Sequence, residues 1–228
     1  MAVPATTGQL REKLSDMEIG DYIVWKYDNT ITGYIFGGST TGYTEIPLTG
    51  NPLASMPLKY FWYAVKVDKG LLIADRVVSN TITWDWLNSN KFVEGSPRSI
   101  SGISGVVRCP SGGVAYADAS GNKVLTSTNT GYGAWPTINE WDTHVVNFPG
   151  NKILSGKSLN DVWNFMCMTW CKETTVPLSG TVPGGWTTGG RTVRSENITN
   201  SKDRFWSTAS NYSNVAVGFR PVFEYKEV

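Results

Sequence analysis

The sequence predicts an α+β fold, in which short strands mix with two or three helices at uneven spacing. Residues 21–27 are rich in β-branched and aromatic side chains, which are typical of a strand. Val215, Val217 and Phe219 alternate with two small residues, the period-2 pattern of a strand packed on one side. Because helix signals interrupt such strands irregularly, an α+β domain fits better than a sandwich or a doubly wound sheet.

The strongest helix signal lies in the middle of the chain. Thr137 and Glu140 have capping-box spacing, in which each side chain accepts a hydrogen bond from the backbone N–H of the other residue. Trp141, Val145 and Val146 then recur on one side of the predicted helix, which is therefore expected to be buried. The Pro-Gly pair that follows is predicted to end this helix.

Other segments carry weaker versions of the same signals. Ser158 and Asp161 form a second capping box, which predicts a helix continuing through Trp170. Thr83 is predicted to cap a short helix, and residues 10–17 to form an amphipathic one. Residues 29–57 are rich in glycine and proline and are predicted to be loop-rich β structure. The remaining predicted strands pair across tight turns, residues 58–67 with 71–78 and residues 112–118 with 123–126.

Composition excludes several classes of partner. The 228 residues carry 20 Lys and Arg against 19 Asp and Glu, a formal net charge of +1. With no basic run, the sequence indicates neither a nucleic acid nor an anionic membrane as a partner. No apolar stretch reaches the roughly 20 residues of a membrane span, so membrane insertion is not expected. The first 13 residues lack an apolar signal core, so we expect any release to occur by lysis or on a particle.

The cysteines and the single histidine indicate neither a disulfide framework nor a metal site. Cys109, Cys167 and Cys171 cannot all pair within one chain, and the last two lie four residues apart on a predicted helix, where a disulfide is geometrically poor. We therefore predict reduced thiols, as in a bacterial cytoplasm where the chain would fold. Because His144 is the single histidine and the cysteines lack zinc-ligand spacing, no zinc site is expected.

Candidate binding residues lie in the long polar stretch before the last strands. Aromatic rings can stack on the C–H faces of a sugar, while Asn and Arg supply planar donors and acceptors for its hydroxyls. For the tryptophans, packing beneath the loops is an equal alternative. The candidate ligand-binding residues are Trp186, Arg191, Arg194, Asn197, Arg204, Trp206, Asn211 and Tyr212.

Three segments carry a family resemblance. The helix start AWPTINEW resembles the L-P-T-E-x-E-W signature of the formylglycine-generating-enzyme-like (sulfatase-modifying-factor-like) branch of the C-type-lectin-like fold. The final VGFRPVFEY is similar to the G-F-R strand that ends such domains, and LIADRVVSNTITWDWL is similar to their strand-then-helix entry. The same pattern is expected in phage and prophage receptor-binding proteins and in the variable proteins of diversity-generating retroelements.

This resemblance implies a domain organisation and a function. It predicts a C-type-lectin-like ligand-binding domain over residues 60–228, after a small β-rich attachment module over residues 1–59. In such domains the loops before the last strand form the ligand face. The implied function is non-catalytic recognition of a bacterial cell-surface glycan or another host receptor, from the virion surface of a phage or prophage. Other virion proteins and further copies of this chain, as a homo-oligomer, are the additional partners expected.

Several departures from the family narrow this expectation. The E-P-N, Q-P-D and W-N-D triplets of calcium-dependent lectins are absent from the sequence. We therefore predict no metal or other cofactor. Asn139, Asp142 and Asp203 remain possible oxygen ligands for calcium. No cysteine follows Cys171, which removes the oxidase activity of the family's name-giving enzymes. Arg220 is predicted to pair with a carboxylate of the central helix, at position 140 or 142.

Two alternatives to receptor binding stay open. The first is a structural virion or appendage protein whose fold serves assembly alone. The second is a cell-wall glycan hydrolase, in which two of several carboxylates would converge in space. The sequence contains no nucleophile motif, so we predict no catalytic residue. The carboxylates considered for the hydrolase are Asp118, Glu140, Asp142 and Glu173.

Overall fold

Alternating aromatic and aliphatic side chains form the longest strands of the molecule. A computed structural model of the chain describes residues 3–31, 33–126, 132–179, 189–195 and 205–227. The described strands are β1 Leu10–Arg11, β2 Tyr22–Asp28, β3 Gly33–Phe36, β4 Thr44–Glu45, β5 Asn51–Pro52, β6 Lys59–Asp68, β7 Leu71–Ala74, β8 Ser79–Asn80, β9 Ser96–Ile100, β10 Ile103–Arg108, β11 Ala115–Ala117, β12 Lys123–Val124, β13 Ala134–Trp135, β14 Met168–Thr174, β15 Arg191–Arg194, β16 Phe205–Thr208, β17 Val217–Phe219 and β18 Val222–Tyr225. The helical elements are α1 Trp84–Ser89, α2 Leu159–Trp163, a π-helix Trp141–Val146 and 3-10 turns at Leu14–Asp16, Leu53–Ser55 and Gly150–Lys152.

Nine of the described strands form a sheet that curls into a half-barrel. Its strands neighbour one another in the order β1-β2-β6-β7-β18-β10-β9, while β3 pairs with β2 and β4 with β6. The curl brings the far edges together, because the Ser101 hydroxyl after β9 accepts from the Phe36 N–H of β3 at 2.9 Å and donates to its C=O at 3.3 Å. At the end of β2, Asp28 lies opposite both Gly33 and Lys59, so β3 and β6 begin where β2 ends.

The interior of the half-barrel is aromatic. Trp25 of β2 lies directly opposite Phe36 of β3 and Trp62 of β6, and all three side chains are buried. Phe223 of β18 closes this layer at 5.4 Å from the Phe36 ring. Cross-strand aromatic pairs of this kind each stabilise a sheet by roughly 0.2–1 kcal/mol, so the register of β2, β3 and β6 is strongly specified.

Two smaller sheets complete the described structure. A six-stranded sheet in the order β16-β15-β14-β17-β8-β5 contributes Trp170, Val193 and Val217 to the same core cluster as the half-barrel interior. A three-stranded sheet has the order β12-β11-β13. On the outer face of the half-barrel, the π-helix and α2 bury Trp141 and Trp163 in a second apolar cluster.

The prediction of an α+β fold class is wrong, because the protein is mostly β: strands account for 37% of the described residues and helices for 13%. Residues 10–17 form strand β1 and a 3-10 turn instead of a helix. The helix predicted through Trp170 ends at Trp163, because Asn164 takes a positive φ of 45°, and the chain continues as β14. Short apolar runs do not distinguish a buried strand from a helix, which explains both errors.

Several local predictions are confirmed. The pairing of β6 with β7 and of β11 with β12 follows the two predicted tight turns. Thr83 caps α1, since its hydroxyl accepts from the Trp86 N–H at 3.0 Å. Ser158 and Asp161 form the capping box of α2. Residues 22–28 form a strand, and β17 occupies the alternating segment.

The Thr137–Glu140 capping box is wrong. The Glu140 carboxylate makes no capping hydrogen bond, and Thr137 is exposed. Instead, the Asn139 side-chain oxygen accepts from the Asp142 N–H at 2.9 Å, and the helix that follows has π geometry from Trp141. The Glu140 carboxylate does not cap the helix because it accepts hydrogen bonds from Arg108 of the half-barrel.

Residues before the predicted domain boundary share their sheet with residues after it. The boundary between residues 59 and 60 falls at the start of β6, which pairs with β2 from Asp28↔Lys59 to Tyr22↔Val65. Leu14 and Trp25 belong to the same core cluster as Phe223. The first 59 residues therefore help to build the half-barrel itself.

Arg220 lies at the junction between β17 and β18 and is fully buried. Its guanidinium donates to the backbone oxygens of Trp163 at 2.7 Å, Asn164 at 2.8 Å and Ala74 at 3.0 Å, and to the Thr169 hydroxyl at 3.2 Å. Burial lowers its pKa to about 10, although the side chain remains cationic at neutral pH. Arg220 thus joins the end of α2 to the half-barrel and to the six-stranded sheet.

The two carboxylates predicted to pair with Arg220 bind other arginines instead. Glu140 accepts from Arg108 of β10, with a 2.7 Å contact to Nη1 and a 2.5 Å contact to Nη2. Asp142 accepts from Arg194 of β15 at 2.6 and 3.0 Å. Arg108 therefore links the start of the π-helix to the half-barrel, and Arg194 links it to the six-stranded sheet.

All three cysteines are free, as predicted, and the structure shows that all three are buried. The predicted helical position is wrong, because Cys171 lies in β14 and Cys167 directly precedes it. Burial raises the pKa of all three thiols, that of Cys167 to about 12. The thiolate, which is the reactive form, is therefore scarce in the folded protein.

The native thiols should be unreactive. Ellman's reagent at pH 8 should modify none of the three cysteines rapidly in the folded protein, and should modify all three after unfolding in guanidinium chloride. Burial excludes the reagent and suppresses the thiolate. A thiol that reacts at the denatured rate without denaturant would contradict the burial described above.

The Arg108–Glu140 pair should make stability depend on pH. Burial raises the pKa of Glu140, but hydrogen bonds and charge from Arg108 more than offset this effect, so its pKa lies below the ordinary 4.5. A depressed folded-state pKa stabilises the protein above the unfolded pKa, and the stabilisation is lost as pH falls. Glu140→Gln should lower the free energy of unfolding at pH 7 by about 1–3 kcal/mol, with a gap that shrinks below about pH 4.5.

Denaturant titrations at pH 7 and at pH 3.5 provide this comparison. Glu94→Gln is the matched control, because Glu94 is exposed and makes no ion pair among the described residues. An equal loss at both pH values for Glu140→Gln would show that the ion pair is not the source of its effect.

Candidate ligand-binding cavity

A cavity of about 550 Å³ opens at the end of the half-barrel where β2 ends and β3 and β6 begin. Sites for small molecules range over roughly 300–1,000 Å³ and often occupy the mouths of barrels. Two groups of aromatic rings line this cavity, one from the half-barrel strands and one from α1 and the segments around it.

The first group, which we call the tyrosine wall, consists of Tyr27, Tyr34, Tyr60 and Trp62. Tyr27 lies directly opposite both Tyr34 and Tyr60 in the sheet, with ring centroids 5.1 and 5.2 Å away. Tyr60 stacks on Trp62 at 5.7 Å. Since side chains two apart on a strand share a face, this wall continues the buried aromatic layer one step towards solvent.

The second group, the tryptophan-phenylalanine wall, consists of Trp86, Phe92 and Phe219. The Trp86 and Phe92 rings lie nearly parallel, 10° apart in plane and 6.2 Å between centroids. Phe92 in turn packs on Phe219 of β17 at 5.3 Å. Because Thr83 caps the helix and Leu87 turns into the core, Trp86 faces outward and stays 39% exposed.

Polar groups of the cavity lining have unmet hydrogen-bonding capacity. The Trp62 Nε1 and the Ser79 hydroxyl are both buried, and neither has a hydrogen-bond partner among the described residues. Burial raises the pKa of Tyr34 to about 12 and raises that of Tyr60 as well. Both phenols therefore stay protonated and can donate. The Trp62 and Ser79 atoms have almost no accessible surface, so the two phenols are the better candidates for ligand contacts.

The chemistry of the lining favours binding. Arg98 is the charged member of the lining, and no carboxylate, histidine or cysteine is among the described residues that line the cavity. General acid–base or nucleophilic catalysis needs such groups within hydrogen-bond reach. The described lining is therefore suited to holding and orienting a ligand.

Five of the eight sequence-predicted ligand residues are described, and none of them lines the cavity. Arg194 is fully buried and donates to Asp142. Its charge is used within the fold. Trp186, Asn197 and Arg204 lie outside the described residues.

The remaining described candidates lie on β15, on the neighbouring strand β16 and in the turn after β16. Arg191 stacks over the Trp84 ring at 4.1 Å, while Trp206 packs against the main core cluster. Asn211 and Tyr212 are exposed in the turn after β16. Buried nitrogens of Arg191 and Trp206 have no hydrogen-bond partner among the described residues, and neither side chain lines the cavity of about 550 Å³.

The possible calcium ligands are engaged with protein groups. Asn139 and Asp142 do lie together, but their oxygens accept from Arg194, and Asp142 also accepts from the Ala134 N–H. Asp203 lies outside the described residues. Within the described ranges no cluster of three or more His, Cys, Asp or Glu residues has metal-binding geometry.

The carboxylates considered for a hydrolase also serve structural contacts. Glu140 and Asp142 hold arginines, as described above. Asp118 accepts from the N–H groups of its own hairpin turn, and Glu173 accepts from the Gly112 N–H at 2.9 Å. None of the four lines the cavity.

Sequence reasoning missed the cavity, although one signal for it was present. Trp25 and Tyr27 alternate in one predicted strand, and Tyr60 and Trp62 alternate in another. The alternation places each pair on one face of its strand. It does not reveal that the two strands are partners, which is the fact that assembles the tyrosine wall.

No family model, curated protein or solved structure matches this chain. None of the helices in the described ranges is both long enough and apolar enough to cross a membrane.

The structural role of Arg194 can be tested against its neighbour Arg191. Arg194→Met should lower the free energy of unfolding by about 3–5 kcal/mol, because it leaves the Asp142 carboxylate buried without its charged partner. Arg191→Met should cost much less, since Arg191 is partly exposed and makes no ion pair with a described residue. Denaturant titration of both variants measures the difference. Equal, small losses would contradict the placement of Arg194.

Proposed function

We propose that this protein is a non-catalytic carbohydrate-binding protein, and that the cavity at the mouth of the half-barrel is its binding site. The observation that carries the proposal is the pair of aromatic walls around one cavity. Aromatic faces stack on the C–H faces of a pyranose ring, and the protonated phenols of Tyr34 and Tyr60 in the lining can hydrogen-bond to its hydroxyl groups.

The walls are preformed, which favours binding. The tyrosine wall stands on strands, and its rings pack on one another and on the buried layer beneath. Few side chains would need to be ordered on contact, so little of the binding energy is lost to conformational entropy. A rigid aromatic site is thus able to bind a small sugar epitope without rearrangement.

The biological setting that we propose is receptor recognition by a phage or prophage particle, with a bacterial cell-surface glycan as the receptor. The sequence resemblance to receptor-binding lectin-like proteins supports this setting, and the predominance of aromatic side chains among the described lining residues agrees with a binding role. Several copies on one particle would raise a weak single-site affinity through effective concentration.

The proposal predicts which substitutions abolish binding. Fluorescently labelled protein should stain susceptible bacterial cells, and isolated cell walls should compete. Trp86→Ala should weaken binding about tenfold or more, because it removes an exposed ring from the cavity wall. Tyr212→Ala is the matched control, since Tyr212 is similarly exposed but lies outside the cavity.

Thermal unfolding of each variant would confirm that the fold is intact. Loss of staining in Tyr212→Ala with unchanged binding by Trp86→Ala would show that the binding site includes Tyr212 and is not the cavity. Absence of staining by the wild-type protein on any strain tested would favour the purely structural role. Release of soluble sugar from purified walls would favour the hydrolase.

A further inference from the structure

We infer that the saccharide bound in the cavity is acidic, and that Arg98 binds its carboxylate. This inference rests on the proposed function and adds the charge of the ligand. Arg98 lies on β9, the edge strand of the half-barrel, and its side chain is exposed at the cavity. Its described hydrogen bond is to the neighbouring Pro97 carbonyl, at 3.0 Å.

Arg98 differs from the arginines that stabilise the fold. Arg11, Arg76, Arg108 and Arg194 each form an ion pair with an aspartate or glutamate at 2.5–3.0 Å. Arg98 makes no ion pair within the described part of the chain, and no carboxylate is among the described lining residues. The positive charge is therefore available to a ligand.

Arg98 lies close to one residue of each aromatic wall, Phe92 and Tyr34. Its guanidinium carbon lies 5.6 Å from the Phe92 ring centroid, within cation–π range. Its charge also acts on the phenol of Tyr34, lowering a pKa that burial raises. Directly opposite on β10 is Gly105, which has no side chain to engage the guanidinium.

A side chain at position 105 is excluded by packing. A Cβ there would lie 2.4 Å from the Glu224 carbonyl oxygen and 2.7 Å from the Phe223 ring. The residue opposite Arg98 is therefore held small by the core, and the strand cannot supply an acidic partner from that position. The guanidinium therefore has no counter-ion among the residues that the structure describes.

The available groups match a carboxylate-bearing sugar. A planar guanidinium presents a fork that binds a carboxylate through two parallel hydrogen bonds. Packing on Phe92 restricts the plane of that fork, while the rings of Trp86 and Tyr60 can stack on the pyranose face. Uronic acids and sialic acids combine both features, whereas a neutral sugar leaves the arginine unpaired.

The experiment compares acidic sugars with their neutral counterparts. Wild-type protein is titrated by calorimetry with sialyllactose and lactose, and with glucuronic-acid oligosaccharides before and after reduction of the carboxyl group. At least one acidic member should bind about 10- to 100-fold more tightly than its neutral counterpart, the range of a charge-assisted hydrogen bond. The advantage should decrease as salt is raised, because the charges are partly exposed.

Variants assign the effect to Arg98. Arg98→Gln should reduce the affinity for acidic sugars to that for neutral ones, and Arg98→Lys should restore part of it through charge without the fork. Lys13→Gln, which removes one exposed positive charge outside the cavity, should bind like the wild type. This control separates a local contact from a change in net charge.

Different results would overturn different claims. Equal binding of acidic and neutral sugars, with Arg98→Gln unchanged, would overturn the acidic ligand and leave the carbohydrate site intact. Preference for acidic sugars that survives in Arg98→Gln would also overturn the assignment. Failure of every sugar to bind, with the protein folded, would overturn the proposed function and this inference together.

Discussion

The alignment of β2 with β6 is the constraint on which the structure depends. It places Trp25 opposite Trp62 and Tyr27 opposite Tyr60. Because side chains alternate between faces, a slip of one residue would move every one of these rings to the other side of the sheet. The inner pair builds the core and the outer pair builds the cavity wall, so the same alignment determines both the stability of the half-barrel and the shape of the candidate site.

Buried arginines hold the other components to this half-barrel. Arg220 is the clearest case, because it lies between Phe219 and Pro221, which both line the cavity. At this point the chain passes from the six-stranded sheet to the half-barrel. The guanidinium binds three backbone oxygens there. A buried charge is tolerated when its hydrogen bonds are satisfied, and satisfying them here positions one wall of the cavity. The hydrogen bonds that stabilise the junction between the two sheets therefore also fix the position of Phe219 and Pro221 in the cavity wall.

The cavity combines rigid aromatic surfaces with phenol donors, because Tyr34 and Tyr60 in its lining stay protonated. Arg98 adds a positive charge that forms no ion pair with a described residue. Aromatic faces select a ligand with an apolar face, donors select acceptor oxygens, and the charge selects an anion. Together these properties describe an acidic sugar more closely than a purely apolar ligand.

The sequence by itself determined the local elements whose signals are contained in a few neighbouring residues. These included the strand β2, the Thr83 cap and the Ser158 capping box. It did not determine the fold class, because a short apolar run fits a strand or a helix until a partner strand supplies hydrogen bonds. The cavity, the partners of Arg194 and the isolation of Arg98 were decided only by tertiary structure. Each depends on which distant segments are adjacent. Tight turns predict the pairing of consecutive strands, but the pairing of distant strands and the partners of buried charges have no local signal in the chain.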